Sequence, residues 1–240
     1  MTDAWMPGAR CIRAESDGGQ MQGGAPRIVW LTLGVDPRAI SVTSAAHRLI
    51  DEGRPCHLVW DPLTGAIAQL LPAVRAGCAL GTRENLRYEP DCSHPRPSVN
   101  REGRLCVQIG VLGSAREPFT SCPMTGLGDI LDWLDSWQIP RRWPAGQPAP
   151  FRQADRPRSR ALWARGGHFG ASQVPGCSSA GPGGIDIDQL TGAGAGPLAG
   201  AGALPLGAPD QARPPVAIPL SQRGRRRDHP SAASLTAAGV

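Results

Sequence analysis

Residues 166–190 read GGHFGASQVPGCSSAGPGGIDIDQL, and the fold of the chain turns on how this stretch is read. Its last part, GGIDIDQL (183–190), predicts the start of a closing helix. Asp186 and Asp188 straddle that start, where the positive end of the helix dipole favours carboxylates. Before it lie His168 between glycines, the run Ser172-Gln173-Val174-Pro175, Cys177, Ser179 and the turn Gly181-Pro182-Gly183. A thiolate at Cys177 and an imidazole at His168 are zinc-ligand chemistry.

Upstream, RIVWLTL (27–33) is a continuous apolar run of β-favouring residues and predicts a buried strand. SVTSAAHRLIDEG (41–53) predicts a helix capped by Ser41 or Thr43, striped by Ala45, Leu49 and Ile50, and stopped at Gly53. CHLVWDPLTGAIAQLLP (56–72) sets two β-rich runs around a Pro/Gly turn and predicts a β-hairpin. RLCVQIGVL (104–112) predicts a second buried strand. MTGLGDILDWLDSWQI (124–139) places Leu127, Ile130, Leu131, Leu134 and Trp137 on one helical face, with Trp133 nearer the flank. Asp129, Asp132 and Asp135 read as the solvated face of the same helix. RSRALWARG (158–166) predicts a short helix. The order gives an α/β domain over residues 27–191, with a mixed central β-sheet flanked by helices.

The remaining segments read as appendages or loops. Residues 1–26 are Gly-rich and aperiodic and are expected to form a disordered arm. Residues 192–240 are Ala/Gly/Pro-rich and bury too little apolar surface to offset the entropy of ordering, so a disordered tail is expected. The tail carries Arg223, Arg225, Arg226 and Arg227, read as a solvated basic cluster. The long Pro/Arg/Gly-rich loops 79–103, 113–123 and 140–157 either line a site or are unstructured. His47 is placed on a helix surface and His94 in a loop with no partner.

All 25 basic residues among the 240 are arginine, and 31 glycines and 25 prolines accompany them, so single arginines are weak functional signals in this sequence. The net charge of +5 permits attraction to anionic polymers without selecting one, and no nucleic-acid motif supports a nucleic-acid partner. Seven cysteines without a CxxC pair fit reduced, buried thiols better than a disulfide scaffold. The first twenty residues lack the apolar core of a signal peptide, and no apolar run spans a bilayer, so a cytoplasmic protein is expected. Elbow, P-loop and dinucleotide motifs are absent. Trp30, Trp60, Trp133, Trp137 and Trp163 are expected in the core or cleft walls. Trp143, in a loop beside Arg141 and Arg142, is a candidate for stacking on a sugar.

GGHFGASQVPG followed by PGGIDIDQL resembles the C-terminal signature of the type-2 N-acetylmuramoyl-L-alanine amidases, the peptidoglycan-recognition fold found in phage endolysins. The strand at 27–33, the hairpin, the strand at 104–112 and the long helix agree with that family in order. The resemblance covers 27–191 and implies a zinc hydrolase acting on peptidoglycan, with three protein ligands and one open position. Carried over, the ligand positions fall on Leu31, Ala171 and Gly181, none of which has an electron pair to offer zinc. Cys56 stands at the hairpin position of a catalytic tyrosine, and Ser179 near that of a transition-state helper.

The resemblance therefore implies a degenerate, non-catalytic relative that binds muropeptide or another ligand in the old groove, with no cofactor. Groove candidates are Cys56, His57, His168, Ser172, Gln173, Ser179 and Trp143. An alternative is an active zinc amidase with relocated ligands at His57, His168 and Cys177. The bland reading makes His57 a hydrogen-bonded hairpin residue, His168 a loop residue and Cys177 a small thiol. A further alternative is an intracellular regulatory or scaffold protein whose Arg-rich tail recruits a protein partner.

Overall fold

The structure, a computed structural model, describes residues 2–81, 99–151 and 158–192. The expectations for Cys92, His94 and the tail beyond Gly192 lie outside the described residues. Six strands form one mixed sheet: β1 (Arg10–Cys11), β2 (Arg27–Thr32), β3 (Leu58–Trp60), β4 (Ile67–Gln69), β5 (Cys106–Val111) and β6 (Gly167–Gly170). Among the described residues four helices accompany them: α1 (Val42–Asp51), α2 (Leu127–Ser136), α3 (Arg160–Ala164) and α4 (Ile187–Thr191). The order across the sheet is β1-β4-β3-β5-β2-β6. Only the β3–β4 hairpin is antiparallel, and the other neighbours run parallel.

Parallel strands covered on both faces read as unbroken apolar runs. β2 shows why. Val29 and Leu31 point to one face, where they meet Val42, Ala45, Ala46 and Leu49 of α1. Ile28 and Trp30 point to the other, where they meet Leu127, Ile130, Leu131 and Leu134 of α2. The second face also holds an aromatic cluster. Trp30 lies 6.2 Å from Trp60 and 6.1 Å from both Phe119 and His168, centroid to centroid. Ser41 caps α1 by accepting from the Ser44 N–H, and Asp186 caps α4 by accepting from the N–H groups of Asp188 and Gln189. These local choices agree with the sequence pattern.

Order does not begin at Arg27, and the expected disordered arm is corrected over the described residues 2–26. Met6 is 5% exposed and belongs to the core of the α2 face. β1 pairs with β4, Arg10 opposite Ala68 and Cys11 opposite Gln69. The fully buried Gln69 is the clamp: its Oε1 accepts from the Met6 N–H at 2.5 Å, and its Nε2 donates to the carbonyls of Ala4 (2.9 Å) and Leu71 (2.8 Å). Further on, Asp17 makes two short contacts with the Arg75 guanidinium, 2.7 and 2.9 Å. The glycines that suggested disorder permit close backbone approach. A Cβ at Gly18 would lie 2.5 Å from the carbonyl oxygen of Gly77.

Trp133, on the flank of α2, is covered by the N-terminal segment. It is 5% exposed, and its indole N–H reaches the carbonyl of Asp3 at 3.0 Å. A smaller correction concerns strand assignment. His168 is not in a loop but in β6, opposite Ile28 of β2. The loop at 113–123 contains a 3-10 turn, Phe119–Ser121, which delivers Phe119 to the aromatic cluster.

Candidate functional site

β2 and β6 run parallel and in register, with Trp30 opposite Gly170. That pairing sets Leu31 beside Ala171, the first residue after β6, and both belong to the apolar cluster on the α1 face. The chain then returns through Gly181, whose carbonyl accepts from the Ser172 N–H at 2.7 Å. A Cβ built on Gly181 would stand 2.6 Å from Oγ1 of Thr32 and 3.3 Å from its backbone nitrogen. Leu31, Ala171 and Gly181 therefore do come together, at the carboxyl end of β2. Their chemistry does not fit a zinc ion: two are apolar, and the third has no side chain and little room for one.

Beside this corner lies a cavity of about 150 Å³ between α1 and the end of β2. Leu31, Leu33, Val35, Ile40, Ala45 and Leu49 supply apolar lining, and Ala79 closes one side. Thr32, Arg48, Glu52, Arg54 and Ser179 supply the polar part. Arg48 pairs with Glu52 through Nε at 2.9 Å, and its side chain is 59% exposed, which puts the pair at the mouth. One Nη of Arg54 donates to the carbonyl of Ala79 at 3.3 Å. Sequence reasoning missed both arginines, because 25 arginines in the chain made each one uninformative.

Of the groove candidates, Ser179 alone lines this cavity among the described residues, half-buried, and its Oγ accepts from the Gly181 N–H at 3.2 Å. The others are corrected. Cys56 is fully buried and packs in the α1-face core, with burial pushing its thiol up to about 12. His57 is fully buried: Nδ1 accepts from the Gln108 N–H at 3.0 Å, so Nε2 donates to the carbonyl of Arg75 at 2.8 Å. Burial lowers its pKa to about 4 and keeps the ring neutral. His168 lies on the opposite side of the sheet from Leu31. There its Nδ1 accepts from the Trp30 indole N–H at 3.2 Å, and burial lowers its pKa to about 3.

Gln173 is consumed in holding the loop. Its Oε1 accepts from Trp143 Nε1 at 2.7 Å and from the Gly170 N–H at 3.1 Å, while its Nε2 donates to the carbonyl of Gly146 at 2.8 Å. Trp143 thus caps the edge of the core near His168 rather than standing free to stack on a sugar. Ser172 is 5% exposed, and its Oγ has no hydrogen-bond partner among the described residues. Cys177 is 1% exposed in the α1-face core. Burial is incompatible with a groove role for these side chains.

The relocated set His57, His168 and Cys177 is likewise not assembled. His57 spends both ring nitrogens on the backbone, and His168 and Cys177 belong to opposite faces of the sheet. Among the described residues, no three of His, Cys, Asp and Glu are grouped so as to hold a metal ion. Among the same residues, no helix is long and apolar enough to cross a membrane.

No family model matches the chain, and no curated protein matches it. Among solved structures it is similar to the Staphylococcus aureus hydrolase AmiA in complex with its ligand, at 10% identity and a TM-score of 0.48, over 78% of this chain and 81% of that one. It is similar to the endolysin N-acetylmuramoyl-L-alanine amidase LysCS from Clostridium intestinale URNW, at 13% identity and a TM-score of 0.43, over 79% and 97%. It is also similar to the N-acetylmuramoyl-L-alanine amidase LysC from Clostridium intestinale URNW, at 12% identity and a TM-score of 0.42, over 77% and 96%.

Proposed function

We propose that this chain is a binding domain on an amidase-like α/β scaffold, without amidase catalysis, and that its ligand is a muropeptide held beside α1 and the end of β2. The observation that carries the reading is the junction of Leu31, Ala171 and Gly181. Zinc-assisted amide hydrolysis needs three protein ligands around an open coordination position. The positions at which the sequence resemblance puts those ligands meet in space and supply no donor side chain. The space a side chain would need at Gly181 is taken by Thr32. The cavity alongside is lined by both hydrocarbon and polar groups, two arginines among them, which suits a ligand with an aliphatic group and a carboxylate.

The test is to incubate the full chain with purified muropeptides, with and without added zinc. Binding is followed by calorimetry and release of the stem peptide by chromatography. Saturable binding without release is the expected result. Zinc-dependent release of peptide overturns the reading. Absence of any binding removes muropeptide as the ligand.

A further inference from the structure

We infer that the cavity between α1 and the end of β2 is a specific pocket for a short branched aliphatic carboxylate, free or as the end of a larger ligand. The inference rests on the groove-binding reading only for the location of the ligand. Size is the first argument. The cavity is about 150 Å³. An engineered cavity of about that volume in another protein accepts a group the size of benzene. The group that enters is therefore of about that bulk, a branched chain of a few carbons rather than a sugar ring with its hydroxyls. Leu31 matters here. With a leucine where a ligand residue would stand, it joins Leu33, Ile40, Ala45 and Leu49 in offering hydrocarbon to a ligand, while Thr32 and Ser179 place hydroxyl-bearing side chains in the lining.

Charge is the second argument. Arg48 and Arg54 face Glu52, the sole carboxylate among the lining residues, so the polar part of the pocket carries a net positive charge. Arg48 engages Glu52 through Nε, and Arg54 engages the Ala79 carbonyl through one Nη. The two Nη groups of Arg48, and the Nε and second Nη of Arg54, make no hydrogen bond to the described residues. They are donors that a carboxylate can take in pairs. The carboxyl end of α1 lies nearby and disfavours an anion, but Arg48 stands in its last turn and offsets that field. Ser179 adds a hydroxyl at the same edge.

The test uses 4-methylpentanoate, its neutral isostere 4-methylpentanamide, and acetate, titrated into the full chain. Methyl spectra report the location and calorimetry the affinity. 4-Methylpentanoate is expected to shift the methyl signals of Leu31, Leu33, Ile40 and Leu49, and to bind about tenfold more tightly than the amide, the worth of hydrogen bonds to a charged group. Acetate is expected not to shift them. R48Q/R54Q is expected to erase the preference for the acid over the amide while leaving the melting temperature close to that of the parent. I40W fills the pocket from a half-buried position and is expected to abolish the binding of both.

Equal affinity for acid and amide, a preference that survives R48Q/R54Q, or no shift at the four residues overturns the inference. Muropeptide binding without a response to 4-methylpentanoate overturns the pocket and leaves the groove reading standing. A response to 4-methylpentanoate without muropeptide binding does the reverse.

Discussion

A Cβ on Gly181 would stand 2.6 Å from Oγ1 of Thr32, closer than side-chain carbons come to neighbouring atoms. Thr32 ends β2 and Gly181 lies in the returning loop, so the absence of a side chain at Gly181 lets the loop approach the end of the sheet closely. G181A is expected to destabilise the fold by about 1–3 kcal/mol, the usual cost of overpacking. T32A removes Oγ1, and the double variant is expected to recover part of the loss. Denaturant melts of the four proteins check this, and strictly additive effects would place the strain elsewhere.

Gln69 holds the N-terminal segment by three hydrogen bonds inside the core. Q69A leaves the Met6 N–H and two carbonyls without their buried partner, at about 1–3 kcal/mol for each group that water cannot reach. The expected outcome is earlier trypsin cleavage after Arg10 or Arg13, with the rest of the sheet intact. Unchanged cleavage would mean that the segment is held by β1 and the Asp17–Arg75 pair alone.

His57 and His168 are both buried and neutral, with pKa values pushed down to about 4 and about 3 by loss of solvation. An unfolded chain protonates its histidines near pH 6.5. Below that pH the unfolded state therefore binds protons that the folded state refuses, and stability falls as the pH drops from about 6.5 towards 4. The expected signature is a melting temperature that declines through this window, and less steeply in H57Q. Imidazole resonances of His57 and His168 that titrate near pH 6.5 in the folded protein would contradict the assignment.

Thiol chemistry follows the same burial. Cys56 and Cys106 are fully buried and pushed up to about 12, and Cys177 is 1% exposed, whereas Cys11 is exposed on β1. With a thiol reagent on native protein, Cys11 is expected to label at once. Cys56, Cys106 and Cys177 are expected to label only on unfolding, as mapped by mass spectrometry. Fast native labelling of Cys177 would show its loop opening.

Most elements legible in the sequence were those whose apolar pattern is long or periodic: β2, α1, the β3–β4 hairpin, β5 and α2. The short α3 and α4 were legible as well, α4 from its Ile-Asp start. β6 escaped because Gly167-His168-Phe169-Gly170 has two glycines in four residues and gains its strand conformation by pairing with β2. β1 escaped because two exposed residues carry no pattern, and the long-range partner that fixes the segment, Gln69, sits nearly sixty residues away. At the site, the sequence resemblance named Leu31, Ala171 and Gly181, which the fold brings together. The supposed groove residues His57, His168 and Gln173 carry polar groups that the core itself uses. Nothing in one sequence separates a buried, satisfied histidine from a ligand. Arg48 and Arg54 gained meaning only from the cavity they share.

The proposal that Leu31, Ala171 and Gly181 leave zinc without ligands is tested by the zinc content of the full chain, purified without a metal-binding tag and then dialysed against zinc. The expected result is zinc far below one per chain, with muropeptides left uncleaved. Close to one zinc per chain, lost to a chelator together with muropeptide cleavage, would contradict it.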